Sequence, residues 1–220
     1  MPIRTLIICP DMGLDVQGEI VSASSGFAPK ILAGTVTRQR ALEEIASGAY
    51  DIVHLATHGR AHVLQMSDGI LEEEMLEHAV RKAGSLRVLL LNACKSAHTA
   101  VEVYNHTPVS YSVGWPFDVA DAAALTWARL FYDALRIDPD DVKRAAQVAN
   151  ESVVKSYHID PDRLPLVLNG RVGQVLADCQ RLQAELQRPG VVRLPAWAVA
   201  ANALLVALLL ASVLLLAAAH

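Results

Sequence analysis

Short apolar runs, each closed off by a polar, glycine or proline position, alternate along the first 170 residues with segments whose apolar positions recur every three or four places. The runs at 4–9 (RTLIIC), 51–56 (DIVHLA), 87–92 (RVLLLN), 109–113 (VSYSV) and 164–169 (LPLVLN) predict strands, since continuous apolar stretches of this length suit strands buried on both faces. The periodic segments at 38–47, 70–83, 118–135 and 139–154 predict helices. Residues 10–37 carry a weaker pattern, with one more strand expected near 31–36. Strands alternating with helices predict an α/β domain with a mostly parallel central sheet covered on both faces. A further helix over 172–187 is expected before the Pro189-Gly190 break.

The pattern changes after Leu194. Residues 195–219 (PAWAVAANALLVALLLASVLLLAAA) carry no charge, and about 20 apolar residues suffice to cross hydrocarbon as a helix. The reading is a globular domain at 1–171, a linker and juxtamembrane segment at 172–194, and a C-terminal transmembrane helix at 195–219 acting as a tail anchor. Arg181, Arg188 and Arg193 precede this segment and only His220 follows, so the positive-inside tendency keeps the domain cytoplasmic on a single-pass protein, with Trp197 at the interface. The opening MPIRTLIICPDMG ends in a turn rather than a small-residue cleavage site, and no export signal is expected.

Charge and cysteine usage narrow the function. A net charge of −4 with scattered basic residues argues against nucleic acid as a partner. Cys9, Cys94 and Cys179 are far apart and odd in number, which points to free thiols in a reducing compartment.

Candidate chemistry gathers just beyond two predicted strands, where open parallel sheets place their ligand sites. One ends in Thr57-His58-Gly59 and the next in Asn92-Ala93-Cys94-Lys95-Ser96. On adjacent strands about 4.8 Å apart, an imidazole and a thiol converge on one carbonyl. Cys94 as thiolate would attack it and His58 would protonate the leaving amine. The N–H groups of Gly59 and Cys94 are the candidates for an oxyanion hole.

The motif pair DIVHLATHG and LRVLLLNACKSA, followed by VGWPFDVADAAALTWARLFYDAL, resembles the CHAT subfamily of caspase-like cysteine peptidases from about Leu6 to Gly170. That resemblance implies a caspase-like three-layer fold, with His58 and Cys94 as the dyad and Gly59 as an oxyanion donor. It also implies cleavage of a protein substrate in bacterial signalling or defence. Separases of the same clan carry a Trp followed by an acidic stretch that receives a basic side chain, so Asp118 or Asp121 is expected to bind Arg or Lys of the substrate, with Trp115 as a pocket wall. From local chemistry alone the same two aspartates read as an N-cap and its partner three residues on.

The remaining candidates take plainer readings. His54 is expected to pack in the sheet with its ring hydrogen-bonded, since His54 and His58 lie on a strand and not on the helix that a His-x-x-x-His metal pair requires. His62, His98 and His106 are expected in solvated loops, Cys9 in the core, and Cys179 in the linker helix without an activating neighbour. No metal or cofactor is called for. So small a domain carries no recognition module of its own, so activation is expected from an activating or sensor protein as partner or from clustering in the membrane. A catalytically silent membrane scaffold and a small-acyl hydrolase are the alternative readings of the same residues.

Overall fold

The computed structural model describes residues 3–24 and 27–169. Its elements run β1 (Thr5–Pro10), α1 (Val16–Ser24), β2 (Lys30–Gly34), α2 (Arg38–Ala46), β3 (Ile52–Ala56), β4 (Gly59–Arg60), β5 (Val63–Met66), β6 (Gly69–Glu72), α3 (Glu73–Ala83), β7 (Val88–Asn92), α4 (Ala97–His106), β8 (Tyr111–Gly114), α5 (Asp121–Ile137), α6 (Val142–Tyr157) and β9 (Leu166–Asn169). A six-stranded sheet in the order β2-β1-β3-β7-β8-β9 forms the centre. All its pairings are parallel except that of β9, which returns antiparallel to β8.

The central strands are largely apolar because both faces of the sheet are covered there. Every residue of β1, β3 and β7 is buried. Their side chains divide by strand alternation: Leu6, Ile8, Val53, Leu55, Leu89 and Leu91 pack in a core with residues of α2, α3 and α4, while Ile7, Cys9, Ile52, Ala56, Val88 and Leu90 pack in a second core with α5 and α6. Three layers result. The second core is the more aromatic, with Trp127 stacked on Phe131 at 5.1 Å between ring centroids and Tyr132 edge-on to Phe131.

The mostly parallel α/β architecture agrees with the sequence reading, and several boundaries shift for local reasons. The helix expected from residue 70 begins at Glu73, because Gly69–Glu72 pairs antiparallel with β5 and places Leu71 opposite Leu64 in the core. The resulting hairpin turns through Ser67-Asp68, with Gly69 at φ 133°, a backbone conformation that glycine alone adopts easily. Strand β2 ends at Gly34 rather than residue 36. Helix α1 emerges from the ambiguous stretch, with the Asp15 carboxylate accepting from the Gly18 N–H at 2.9 Å. His98 and His106 lie on α4, not in loops.

Among the described residues no helix is long and apolar enough to cross a membrane. The expected linker (172–194) and anchor (195–219), with Cys179 and Trp197, lie outside the described residues.

Candidate active site

Chain order turns back between β1 and β3: from β1 the chain goes outward to β2, then returns to add β3 on the other side. A crevice at the carboxyl ends of the strands is the geometric consequence of such a reversal. The cleft found there is lined by Leu14 and Asp15 after β1, Glu19 on α1, Thr57 and His58 after β3, and Asn92, Ala93 and Cys94 at the end of β7. Val119, Asp121, Ala124 and Leu125 close it from the β8–α5 side. Its cavity measures about 30 Å³.

Cys94 sits on a sharp turn between β7 and α4. Lys95 adopts φ 53°, a left-handed conformation that costs a non-glycine residue about 1 kcal/mol or more. The Ser96 hydroxyl holds the turn closed, donating to the Leu91 and Ala93 carbonyls at 3.0 and 2.7 Å and accepting the Trp115 N–H at 3.1 Å. The segment after β8 clasps this turn from the other side, with Lys95 N–H donating to Phe117 O and Ala97 N–H to Trp115 O. The half-buried Cys94 sulfur is held between the two polar groups of one residue: it accepts from the Val119 N–H at 3.3 Å and donates its thiol proton towards the Val119 carbonyl at 3.6 Å.

His58 is exposed on the facing segment, and its Nε2 lies 2.9 Å from the Met12 carbonyl. A carbonyl only accepts, so Nε2 carries the proton and Nδ1 of the neutral ring is left as the base. Gly59 packs against the Cys94 peptide so closely that a Cβ there would run into the Cys94 carbonyl oxygen. Glycine at this position is a requirement of contact, since its φ lies outside the left-handed region.

The expected site residues divide. His58, Cys94 and Asp121 line one cleft, with Gly59 against the Cys94 backbone. Asp118 is exposed and paired with Lys95 at 2.8 Å, away from the lining. Trp115 is 1% exposed and belongs to the core; its indole N–H donates to Asn92 Oδ1 at 2.9 Å. The N-cap of α5 is Ala120, so neither aspartate caps that helix with its side chain; Asp121 is its first residue.

Beneath the cleft lies a buried polar cluster that the sequence reading missed. Asn92, fixed by Trp115, donates through Nδ2 to Glu19 Oε1 at 2.6 Å. The second Glu19 oxygen has no hydrogen bond, and His54 Nε2 stands 3.4 Å from it. His54 is fully buried and stacked on Tyr132, and neither ring nitrogen is hydrogen-bonded, contrary to expectation. Burial governs every titration here. It raises the Glu19 carboxyl to about 7, against a smaller opposing effect of the Asn92 hydrogen bond, and lowers the His54 imidazolium to about 3. The Tyr132 hydroxyl is pushed well above its usual range by burial and then by Glu19. Cys9, at the end of β1, is pushed up to about 12 by burial and by the nearby acids, which leaves it an inert core thiol. The available signal for this cluster was the Asp15-x-x-Gly18-Glu19 helix start, whose N-cap chemistry predicts α1.

No family model matches the chain, and no curated protein matches it. Among solved structures it is similar to the X-ray structure of a secreted C11 cysteine protease from Bacteroides thetaiotaomicron in complex with an irreversible peptide inhibitor. The match has 13% identity, a TM-score of 0.56, and covers 83% of this chain and 71% of that one. The likeness is one of fold: this chain shares the mixed α/β architecture, with its mostly parallel central sheet, of that cysteine protease.

Proposed function

We propose that the chain is a cysteine endopeptidase using His58 and Cys94. The observation that supports this most directly is their delivery, from the carboxyl ends of the adjacent strands β3 and β7, to one cleft. In the proposed reaction His58 Nδ1 takes the Cys94 thiol proton and the sulfur attacks the scissile carbonyl. The same proton then passes to the departing amine. Water, deprotonated by His58, hydrolyses the thioester and returns the thiol. The N–H groups of Gly59 and Cys94 are the proposed oxyanion donors.

The substrate residue before the cut is proposed to be Arg or Lys. Three carboxyl groups, Asp15, Glu19 and Asp121, face the cleft, and among the described residues no Lys or Arg lines it. Charge-assisted hydrogen bonds to a guanidinium discriminate strongly in such surroundings. At about 30 Å³ the cavity holds a water rather than a guanidinium, so productive binding requires the 116–120 segment, tied to the nucleophile through Val119, to move. Activation by another protein is the proposed trigger, and the substrate is proposed to be a protein partner in bacterial signalling or defence. Tethering by 195–219, with the domain cytoplasmic, is part of the same proposal; removing 191–220 should release a soluble, folded domain, and an insoluble or unfolded product argues against it.

The test of the chemistry is a peptide-library cleavage assay on the full chain, joined to labelling with an Arg-bearing peptidyl electrophile. Cys94→Ala and His58→Ala should each abolish turnover, and the double variant should lose little more. Cleavage retained by Cys94→Ala, or labelling that falls on a residue other than Cys94, refutes the reading.

A further inference from the structure

Three segments that meet outside the cleft bring two histidines onto one carboxylate. His62 lies in the turn between β4 and β5 at φ 68°, Glu73 opens α3, and His98 is in the first turn of α4. The Glu73 N–H donates to the His62 carbonyl at 3.2 Å, which fixes these two backbones side by side. His62 Nδ1 is 3.2 Å from both oxygens of Glu73, and His98 Nδ1 is 3.2 Å from Oε2. The two rings are 3.8 Å apart between centroids, and one donor atom from each residue fits within 4.8 Å of the other two.

These lengths carry a geometric statement. Zinc binds imidazole nitrogen and carboxylate oxygen at about 2.0–2.2 Å in a tetrahedron, whose edges are then about 3.3–3.6 Å. The three nitrogen–oxygen separations, each 3.2 Å, are just short of that edge length already. The side chains are 54%, 20% and 46% exposed for His62, Glu73 and His98, so an ion has access and a fourth position is left to water. Two neutral imidazoles and one carboxylate suit zinc and its transition-metal neighbours, whereas magnesium and calcium prefer an all-oxygen shell. The Glu73 carboxylate has lone pairs enough to accept from both imidazoles; what points to a shared cation is that the two rings also stand against each other on that one carboxylate.

We propose that His62, Glu73 and His98 form a binding site for a zinc-type divalent metal ion. His62 follows His58 by four residues and His98 follows Cys94 by four, so the ion would cross-link the two segments that carry the proposed dyad and anchor both to α3. Metal binding itself does not depend on the peptidase reading.

The test uses the full chain bearing Cys94→Ala, so that the thiol cannot hold the metal, and purified without a histidine tag. Equilibrium dialysis against Zn²⁺ should give one ion per chain, and Co²⁺ should give the visible absorption of a four- or five-coordinate nitrogen and oxygen site. His62→Ala, His98→Ala and Glu73→Gln should each weaken Zn²⁺ binding by at least about tenfold and should remove the rise in melting temperature that Zn²⁺ gives the parent. Melting with chelator present establishes that the variants fold; His62→Gln and His98→Gln serve in place of any that do not. Less than one Zn²⁺ per chain, or an affinity that these substitutions leave unchanged, overturns the proposal.

Discussion

Replacing Glu19 by Gln separates the charge of the buried carboxyl from its shape. Burial raises this group from 4.5 to about 7, so between those values the folded chain holds a proton that the unfolded chain has released. Stability then falls as pH rises through the window, because the native state binds more protons. The gap of about 2.5 pH units corresponds to a cost of about 3 kcal/mol once the pH exceeds 7. Gln keeps the acceptor for Asn92 Nδ2 and places an amide donor beside His54 Nε2. His54, held at about 3 by burial, is neutral across the window in both chains and cancels from the comparison. The variant should therefore match the parent near pH 4.5 and exceed it by up to about 3 kcal/mol at about pH 8, a rise in Tm of roughly 6–12 °C for a domain of this size. Thermal melts across this pH range measure the difference directly. A gain independent of pH, or a loss at pH 8, would falsify the buried-carboxyl account. If Glu19 also receives a substrate guanidinium, the more stable variant should cleave after Arg more slowly by about two orders of magnitude, a trade of activity for stability.

Three further substitutions probe the cleft and its surroundings. Asp121→Asn removes a charge from the cleft lining and should lower kcat/KM for Arg peptides by about two orders of magnitude while sparing Ala peptides; equal losses on both count against a basic pocket. Asp118→Asn breaks only an exposed pair with Lys95 and should leave kinetics and Tm nearly unchanged, so a selective loss of Arg cleavage there would move the pocket to that side. Gly59→Ala drives a Cβ into the Cys94 carbonyl and should displace the nucleophile turn, lowering kcat by about a hundredfold at a stability cost of about 1–3 kcal/mol; unaltered kinetics would show that the contact relaxes freely.

The central sheet was legible because its signal is chemical and redundant. Strands β1, β3 and β7 are buried on both faces, so each reads as an unbroken apolar run in any register. The hairpin β5–β6 was not, because its alternation continues directly into the amphipathic α3. Ile70 and Leu71 sit as well in a helical pattern extended backwards as in a strand, and only the Ser67-Asp68-Gly69 turn separates the two. Helix α4 was missed for a related reason. Its buried positions Ala97, Thr99, Ala100 and Val103 are small or partly polar, so the stripe carries little hydrophobic contrast.

The candidate site was legible to the extent that it is local. His58-Gly59 and Cys94 each follow a strand, and strand ends are visible in one dimension. The partners that shape the cleft come from elsewhere in the chain: Met12 to His58 spans 46 residues and Glu19 to Asn92 spans 73. No periodicity encodes such pairings; the crossover from β1 out to β2 and back to β3 creates them by bringing the β1–α1 connection over the carboxyl edge of the sheet. The same distance explains Trp115. A tryptophan beside an acidic stretch suggests a pocket wall in sequence, yet its indole N–H must find an acceptor when buried, and Asn92 supplies it from the neighbouring strand. Trp115 then acts on the cleft through Asn92 and Glu19 rather than by lining it, and Glu19 is, among the described residues, the one buried carboxyl that a substrate of the proposed basic kind would meet.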